Sequence, residues 1–154
     1  MKLSELIRQD HFATPGQEAL FNVVVSSNWI LGSLAAAMAP HSITPAQYNV
    51  LRILRGSHPN TLTCSEIGQR LLDRTPDVTR LLNRLERSGY IVRERADHDR
   101  RVVEVTISQK GLDLLEQMRS DVDREVDALT QHLSPEEHQQ LSNLLERLRT
   151  DQQA

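Results

Sequence analysis

The sequence holds a single cysteine, Cys64. One thiol excludes an internal disulfide framework and a cysteine cluster for zinc, so a redox role would need an intermolecular partner. The histidines, His11, His41, His58, His98, His132 and His138, are scattered and show no ligand-like pair at helical spacing. A zinc site would have to assemble across elements, and no metal is expected. There is no Gly-rich phosphate loop, nucleophile elbow or zinc-protease signature, so nothing supports an enzyme or a cofactor. No uninterrupted apolar run approaches the roughly 18 residues of a membrane span. The opening "MKLSELIRQDHF" mixes charges into its apolar positions and has no h-region. A soluble, cytoplasmic protein with no membrane partner is expected. Internal repeats and low-complexity segments are also lacking.

What is present suits one domain, or two intimate subdomains: 154 residues, 38% hydrophobic and 25% charged. The formal net charge of −3 is unevenly spread. Arg70 to Arg101 holds nine arginines against six acids, whereas Asp113 to Asp151 holds ten acids against four arginines. A basic middle keeps nucleic acid open as a partner despite the negative total.

Residues 17–39 are apolar almost all round, with Leu20, Phe21, Val24, Trp29, Leu31 and Leu34, which predicts a long, well-buried helix behind "TPG" and ahead of Pro40. Thr44 and Pro45 have the N-cap and first-position chemistry of a second helix reaching about Arg55. Thr63 and Glu66 have capping-box spacing ahead of a short helix ending near Leu71. Thr75 and Pro76 repeat the cap-then-proline signal, and the helix they open stops at Gly89. Two short helices joined by a tight turn suggest helix-turn-helix. "YIVRER" and "RVVEVTI", rich in β-branched residues and flanking "ADHD", then read as a hairpin, or wing, with turn chemistry at its tip. Ser108 caps a long helix with an apolar stripe of Leu112, Leu115, Val122, Val126, Leu129 and Leu133. "SPEEHQQLSNLLERLR" supplies a last helix with Leu141, Leu144, Leu145 and Leu148 on one face. The fold class is therefore mainly α with a small β-hairpin wing.

The helix before Gly89 divides into two faces. Val78, Leu81, Leu82 and Leu85 share one, while Pro76, Arg80, Asn83 and Arg87 lie opposite, with Thr79 and Arg84 on the flanks. Taken alone, such a helix is a surface helix with solvated arginines. Following a short helix and a tight turn, Arg80 and Asn83 instead stand where a recognition helix meets the major groove, Arg suited to guanine and Asn to adenine.

At "LTCSEIGQRL", "TPDVTRLLNRLERSGYIVRE" and "DHDRRVVEVTISQKG" the chain resembles the MarR family of bacterial transcription regulators, over roughly residues 17–149. The last segment resembles the family's wing signature, Asp-x-Arg leading into a strand and a hydroxyl-x-x-Gly helix start; here the pair is Asp99 and Arg101. Ser108 stands where the family usually has Thr, a swap that preserves capping. The resemblance implies a winged helix-turn-helix in an obligate two-fold dimer that binds double-stranded DNA. It also implies a small-molecule effector near the junction of helical base and winged unit, and a repressor's role. The expected DNA-binding residues are Thr75, Pro76, Asp77, Thr79, Arg80, Asn83, Arg84, Asp99, Arg100 and Arg101. Asp77 has two readings, a selectivity element accepting from cytosine or a cap suited to the helix dipole. Asp99 is expected to hold the Arg101 guanidinium along an extended strand, with Arg101 entering the minor groove.

Residues 1–39 and 108–154 are expected to form a helical dimerisation region, and 40–107 the winged helix-turn-helix, within one intertwined chain. The homodimer has its own support in surplus leucine surface, with Leu3, Leu6, Ile7, Leu133, Leu141, Leu144, Leu145 and Leu148 as candidates. Cys64, in the first turn of a helix, could sense redox state, but a lone cysteine there is ordinarily structural. The family's peroxide sensors place their cysteine near the start of the first long helix, where this chain has none. Trp29, Tyr48 and the face around Leu34 are expected to be core, with effector-pocket lining as the rival reading. The alternative function is a winged-helix protein–protein interaction module that touches no DNA.

Overall fold

The computed structural model describes residues 2–73, 77–96 and 99–150. In chain order the elements are α1 (Leu3–Ile7), α2 (Pro15–Met38), a 3-10 turn (Ala39–His41), α3 (Pro45–Ser57), β1 (Leu62–Thr63), α4 (Cys64–Arg70) and α5 (Val78–Arg87). Then come β2 (Ile91–Arg95), β3 (Val103–Ile107), α6 (Gln109–Thr130) and α7 (Pro135–Leu148). The architecture is mainly helical with a small antiparallel sheet.

Most helices start where a hydroxyl can take up an orphan N–H. Thr14 accepts from the Gln17 amide, Thr44 from Gln47, Thr63 from Glu66, Ser108 from Gly111 and Ser134 from Glu137. At α4 the box closes in both directions: the Glu66 carboxylate accepts the Thr63 amide at 2.7 Å and the Thr63 hydroxyl at 2.8 Å. Those bonds, the backbone one foremost, hold the Glu66 pKa below the ordinary value. At α7 the Glu136 carboxylate is lowered likewise, first by its own backbone amide and then by the Ser134 hydroxyl.

The sheet has strand order β1-β3-β2, all antiparallel. Ile91 faces Ile107 and Arg93 faces Val105, so the pleat turns these pairs to the core and leaves Val92, Glu94, Glu104 and Thr106 on the outer face. Beneath the sheet, α3, α4, α5 and the first half of α6 close one core around Leu51, Leu54, Ile67, Leu82, Leu85 and Met118, each at most 1% exposed. His41 ties the turn after α2 to α6 through Asp121, at 3.0 Å.

Outside this core two expectations need correction. Helix α2 is not well buried: among its described residues only Met38 is buried, while Leu20, Val24, Trp29 and Leu31 are more than half exposed. It lies along α6 and touches α1 and α3, and among the described residues these contacts leave much of its apolar surface exposed. Trp29 is accordingly not core, whereas Tyr48 and Leu34 pack partly buried against it. The second correction concerns length. Residues 15–41 form a helical stretch that holds 18 consecutive residues of mean hydropathy 1.4, long and apolar enough to cross a membrane by length and composition. Asn22, Ser26, Ser27 and Asn28 break the run in sequence without lowering the average enough to disqualify it.

The apolar stripe of α6 is present and only partly buried. Its buried residues are Gly111, Leu114, Leu115, Met118 and Val122, whereas Val126 and Leu133 are exposed. The helix outruns the core, and its far end is met by α7 through a bond of 3.0 Å between His138 Nε2 and the Thr130 carbonyl. Among the leucines expected at an interface, Leu3 is buried within the chain and Leu145 half-buried; Leu6, Ile7, Leu133, Leu141, Leu144 and Leu148 are exposed. No described residue of α7 is buried.

Candidate nucleic-acid interface

Helix α5 is anchored by Leu81, Leu82 and Leu85, which are 9%, 1% and 0% exposed. That burial turns Thr79, Arg80, Asn83, Arg84 and Arg87 to solvent. Behind the helix, Gly68 of α4 lets α5 come close: a Cβ there would sit 3.4 Å from Val78 Cγ2. The turn between α4 and α5 is held from α3, where Asn49 Oδ1 accepts the Leu72 amide at 2.9 Å. Asn49 escaped the sequence reading; an asparagine inside an otherwise regular helix, which is a poor helix former, is the signal that could have pointed to it.

Asp77 resolves in favour of the cap. Its Oδ1 accepts the Arg80 amide at 3.1 Å from an extended backbone, and the helix begins at Val78 rather than at Pro76. The carboxylate therefore compensates the positive end of α5. Asp77, Arg80, Leu81 and Arg84 border one shallow depression of about 220 Å³ at the front of the helix. Thr75 and Pro76 lie outside the described residues, as does most of the "DHD" tip, Asp97 and His98.

In the wing, Asp99, Arg100 and Arg101 are exposed and belong to a turn, not to a strand. The Val102 amide donates to the Asp99 carbonyl at 2.9 Å, and Asp99 Oδ1 accepts the Arg101 amide, also at 2.9 Å. The expected carboxylate–guanidinium pairing is thus corrected: Asp99 fixes the backbone of the turn that carries Arg101. This is the side-chain-to-backbone bond a short acid makes in a tight turn.

The basic charge is less available than its count. Arg93 turns inward from β2: its side chain is 18% exposed and Nε lies 3.7 Å from the Glu86 carboxylate. Nε and Nη2 have no hydrogen-bond partner among the described residues. Arg70 donates to the Ser57 hydroxyl at 3.1 Å. The arginines left exposed on α5 and in the hairpin turn are Arg80, Arg84, Arg87, Arg100 and Arg101, and Arg95 at the end of β2 is exposed beside them. Cys64 lies half-buried against the core. Among the described residues no group of three or more His, Cys, Asp or Glu converges as a metal ligand set.

Known proteins share this arrangement. A sequence model of the MarR family matches residues 41–102, which span the winged unit from the 3-10 turn to the hairpin. The HTH-type transcriptional regulator YkoM of Bacillus subtilis is 33% identical over 107 residues, 70% of this chain and 68% of that one. A MarR transcription factor of Planctomyces limnophilus is 31% identical with a TM-score of 0.69, over 88% of this chain and 98% of that one. A MarR variant of E. coli, crystallised in complex with operator DNA, is 26% identical with a TM-score of 0.73, over 82% and 89% of the two chains. The chain belongs to the MarR family of transcription regulators.

Proposed function

We propose that the protein is a dimeric, sequence-specific DNA-binding regulator, a ligand-responsive repressor recognising a pseudo-palindromic operator. The observation that carries this reading is α5, which buries its leucines and presents Thr79, Arg80, Asn83 and Arg84 outward together. Arg80 and Asn83 read base edges in the major groove, Thr79, Arg84 and the start of the helix with Thr75 and Pro76 meet the backbone, and Asp77 caps the helix that carries them. The hairpin turn with Asp99, Arg100 and Arg101 reaches the adjacent minor groove. The relative bound to operator DNA supports this reading.

The second half of the proposal is the homodimer. Residues 1–39 and 108–154 form its helical region and 40–107 the winged unit. The apolar surface of α2, with Leu6, Ile7 and the leucines of α7, is covered by a second copy rather than by a membrane, which keeps the protein in the cytoplasm. Two recognition helices related by a two-fold axis then address half-sites about one helical turn, ~10 base pairs, apart. A small effector bound near the junction of helical region and winged unit would alter that spacing and release the operator.

Selection of bound genomic fragments by the purified protein, followed by footprinting, tests the reading. A pseudo-palindrome is expected, with affinity falling steeply as salt rises because several arginine–phosphate contacts release counterions. The rival is a protein-docking module, and one observation favours it: Val92 and Val103 on the wing are each 41% exposed and Leu72 is 90% exposed. Recovery of no preferred sequence at moderate salt would decide for that rival.

A further inference from the structure

The C-terminal end of α5 and the first turn of α6 are joined by a set of contacts that leaves no carbonyl of the connecting segment idle. Gly89, at φ 74, closes α5 with two return bonds: its own amide donates to Glu86 O at 2.8 Å, and the Tyr90 amide to Leu85 O at 3.0 Å. The next three carbonyls are all taken by α6. Ser88 O accepts from Lys110 Nζ at 2.8 Å, Gly89 O from the Ser108 hydroxyl at 2.7 Å, and Tyr90 O from the Ser108 amide at 3.0 Å. Lys110 Nζ also stands 5.0 Å from the centre of the Tyr90 ring. Gly111 permits the approach, because a Cβ there would lie 2.3 Å from Tyr90 O and 2.7 Å from Ile107 Cγ1.

From this geometry we infer that Lys110, with Ser108 and Gly111, is a positioning residue that fixes the direction of α5 against α6 and thereby sets the half-site spacing the protein accepts. The inference rests on the dimeric, DNA-binding reading above. Helix α6 lies along α2, whose uncovered apolar side is the proposed dimer face, so a rigid α5–α6 joint passes the dimer's geometry directly to the recognition helix. The ammonium of Lys110 is suited to the joint because it stands at the negative end of the α5 dipole. It touches no base and reads no sequence.

The test uses Lys110→Met, which keeps the stem over Tyr90 and removes the donor, and Lys110→Arg, which restores charge and donor. Lys110 is exposed, so neither variant disturbs the core. Each is measured against operators whose half-sites stand at the preferred distance, one base pair closer and one base pair farther. The parent should lose at least about tenfold at either altered distance, part of the ~10²–10⁴ gained by engaging two half-sites at once. Lys110→Met should lose only about threefold or less there, with unchanged base preference inside each half-site, and Lys110→Arg should return to the parent's penalty. A Lys110→Met protein with the parent's spacing penalty overturns the inference, whether or not its overall affinity has dropped. A parent with no paired half-sites overturns the dimeric reading itself and the inference with it.

Discussion

The winged unit and the helical ends solve the same problem of apolar surface in opposite ways. In the unit from α3 to β3 the apolar residues face one another: Val50, Leu51, Ile67, Leu85 and Val105 are wholly shielded. In α1, α2 and α7 they face outward, with Leu6, Leu20, Val24, Trp29, Leu31 and Leu144 all at least half exposed. One region therefore carries its own folding free energy, at roughly 25 cal/mol for each Å² of apolar surface it buries. The other exposes apolar surface, and on the dimeric reading proposed above its stability would depend on concentration. On that reading recognition falls to the self-sufficient part and spacing to the dependent one.

The largest effect should come from deleting the dependent region's end. Removal of residues 134–154 takes away Leu141, Leu144 and Leu148, and should abolish the dimer and lower operator affinity by about 10²–10⁴, because one winged unit loses its second half-site. Sedimentation velocity checks the first part. Trp29, the single tryptophan and 57% exposed in one chain, gives an independent readout: its emission should move to longer wavelength in the truncated protein. A truncated chain that stayed dimeric would break the comparison.

Next in size is a matched pair of leucine deletions. Leu85→Ala removes a side chain with 0% exposure and should cost about 2–5 kcal/mol at every protein concentration. Leu144→Ala, at 58% exposure, should cost less than about 0.5 kcal/mol in a dilute, monomeric sample and more as the dimer fills. Thermal melts over a hundredfold range of concentration separate the two behaviours.

The same contrast explains what was legible beforehand. In the winged unit each local signal pointed inward to a single core, so the capping boxes, the division of α5 into leucine and arginine faces and the hairpin all emerged from spacing alone. Helix α2 was misread because a segment apolar on every side says that it will be covered, not which molecule will do so. The stripe of α6 was legible from its spacing, whereas the point at which it leaves the core was not. The short pieces, α1 and the two-residue strand β1, were invisible because their pairing is tertiary: Leu62 and Thr63 are strand only beside Val105 and Glu104. At the candidate site, residue types and exposure were predictable, whereas hydrogen-bond partners were not. Asp77 caps α5, and Asp99 holds an amide instead of a guanidinium.

A third prediction divides the winged unit itself. Arg80→Ala or Asn83→Ala should cost about 1–3 kcal/mol of operator binding and relax preference at particular base pairs. Arg101→Ala should weaken all operators alike and flatten any preference for A·T flanks, since a guanidinium in a narrow minor groove reads potential rather than base edges. Affinities for operators with altered cores and altered flanks separate the two patterns. Equal binding of every operator by Arg101→Ala and by the parent would make the wing a scaffold.

The smallest effect compares the two regions through their helix caps. Glu66 in the winged unit and Glu136 in the tail both have pKa values lowered by hydrogen bonds at a helix start, Glu66 foremost by the Thr63 amide and Glu136 foremost by its own. A carboxyl whose folded pKa is depressed stabilises the fold above its unfolded value, here near 4.5, and that contribution is lost as pH falls through the lower folded value. Both groups are exposed, so solvent screening keeps the effect small. Glutamine preserves the capping amide geometry but does not titrate. Glu66→Gln should therefore flatten the acid limb, below the ordinary carboxyl value near 4.5, of a urea midpoint that is independent of concentration. Glu136→Gln should leave that limb alone and flatten the acid dependence of the dimer's dissociation instead. If both substitutions moved the same transition by the same amount, the winged unit and the tail would be one cooperative body.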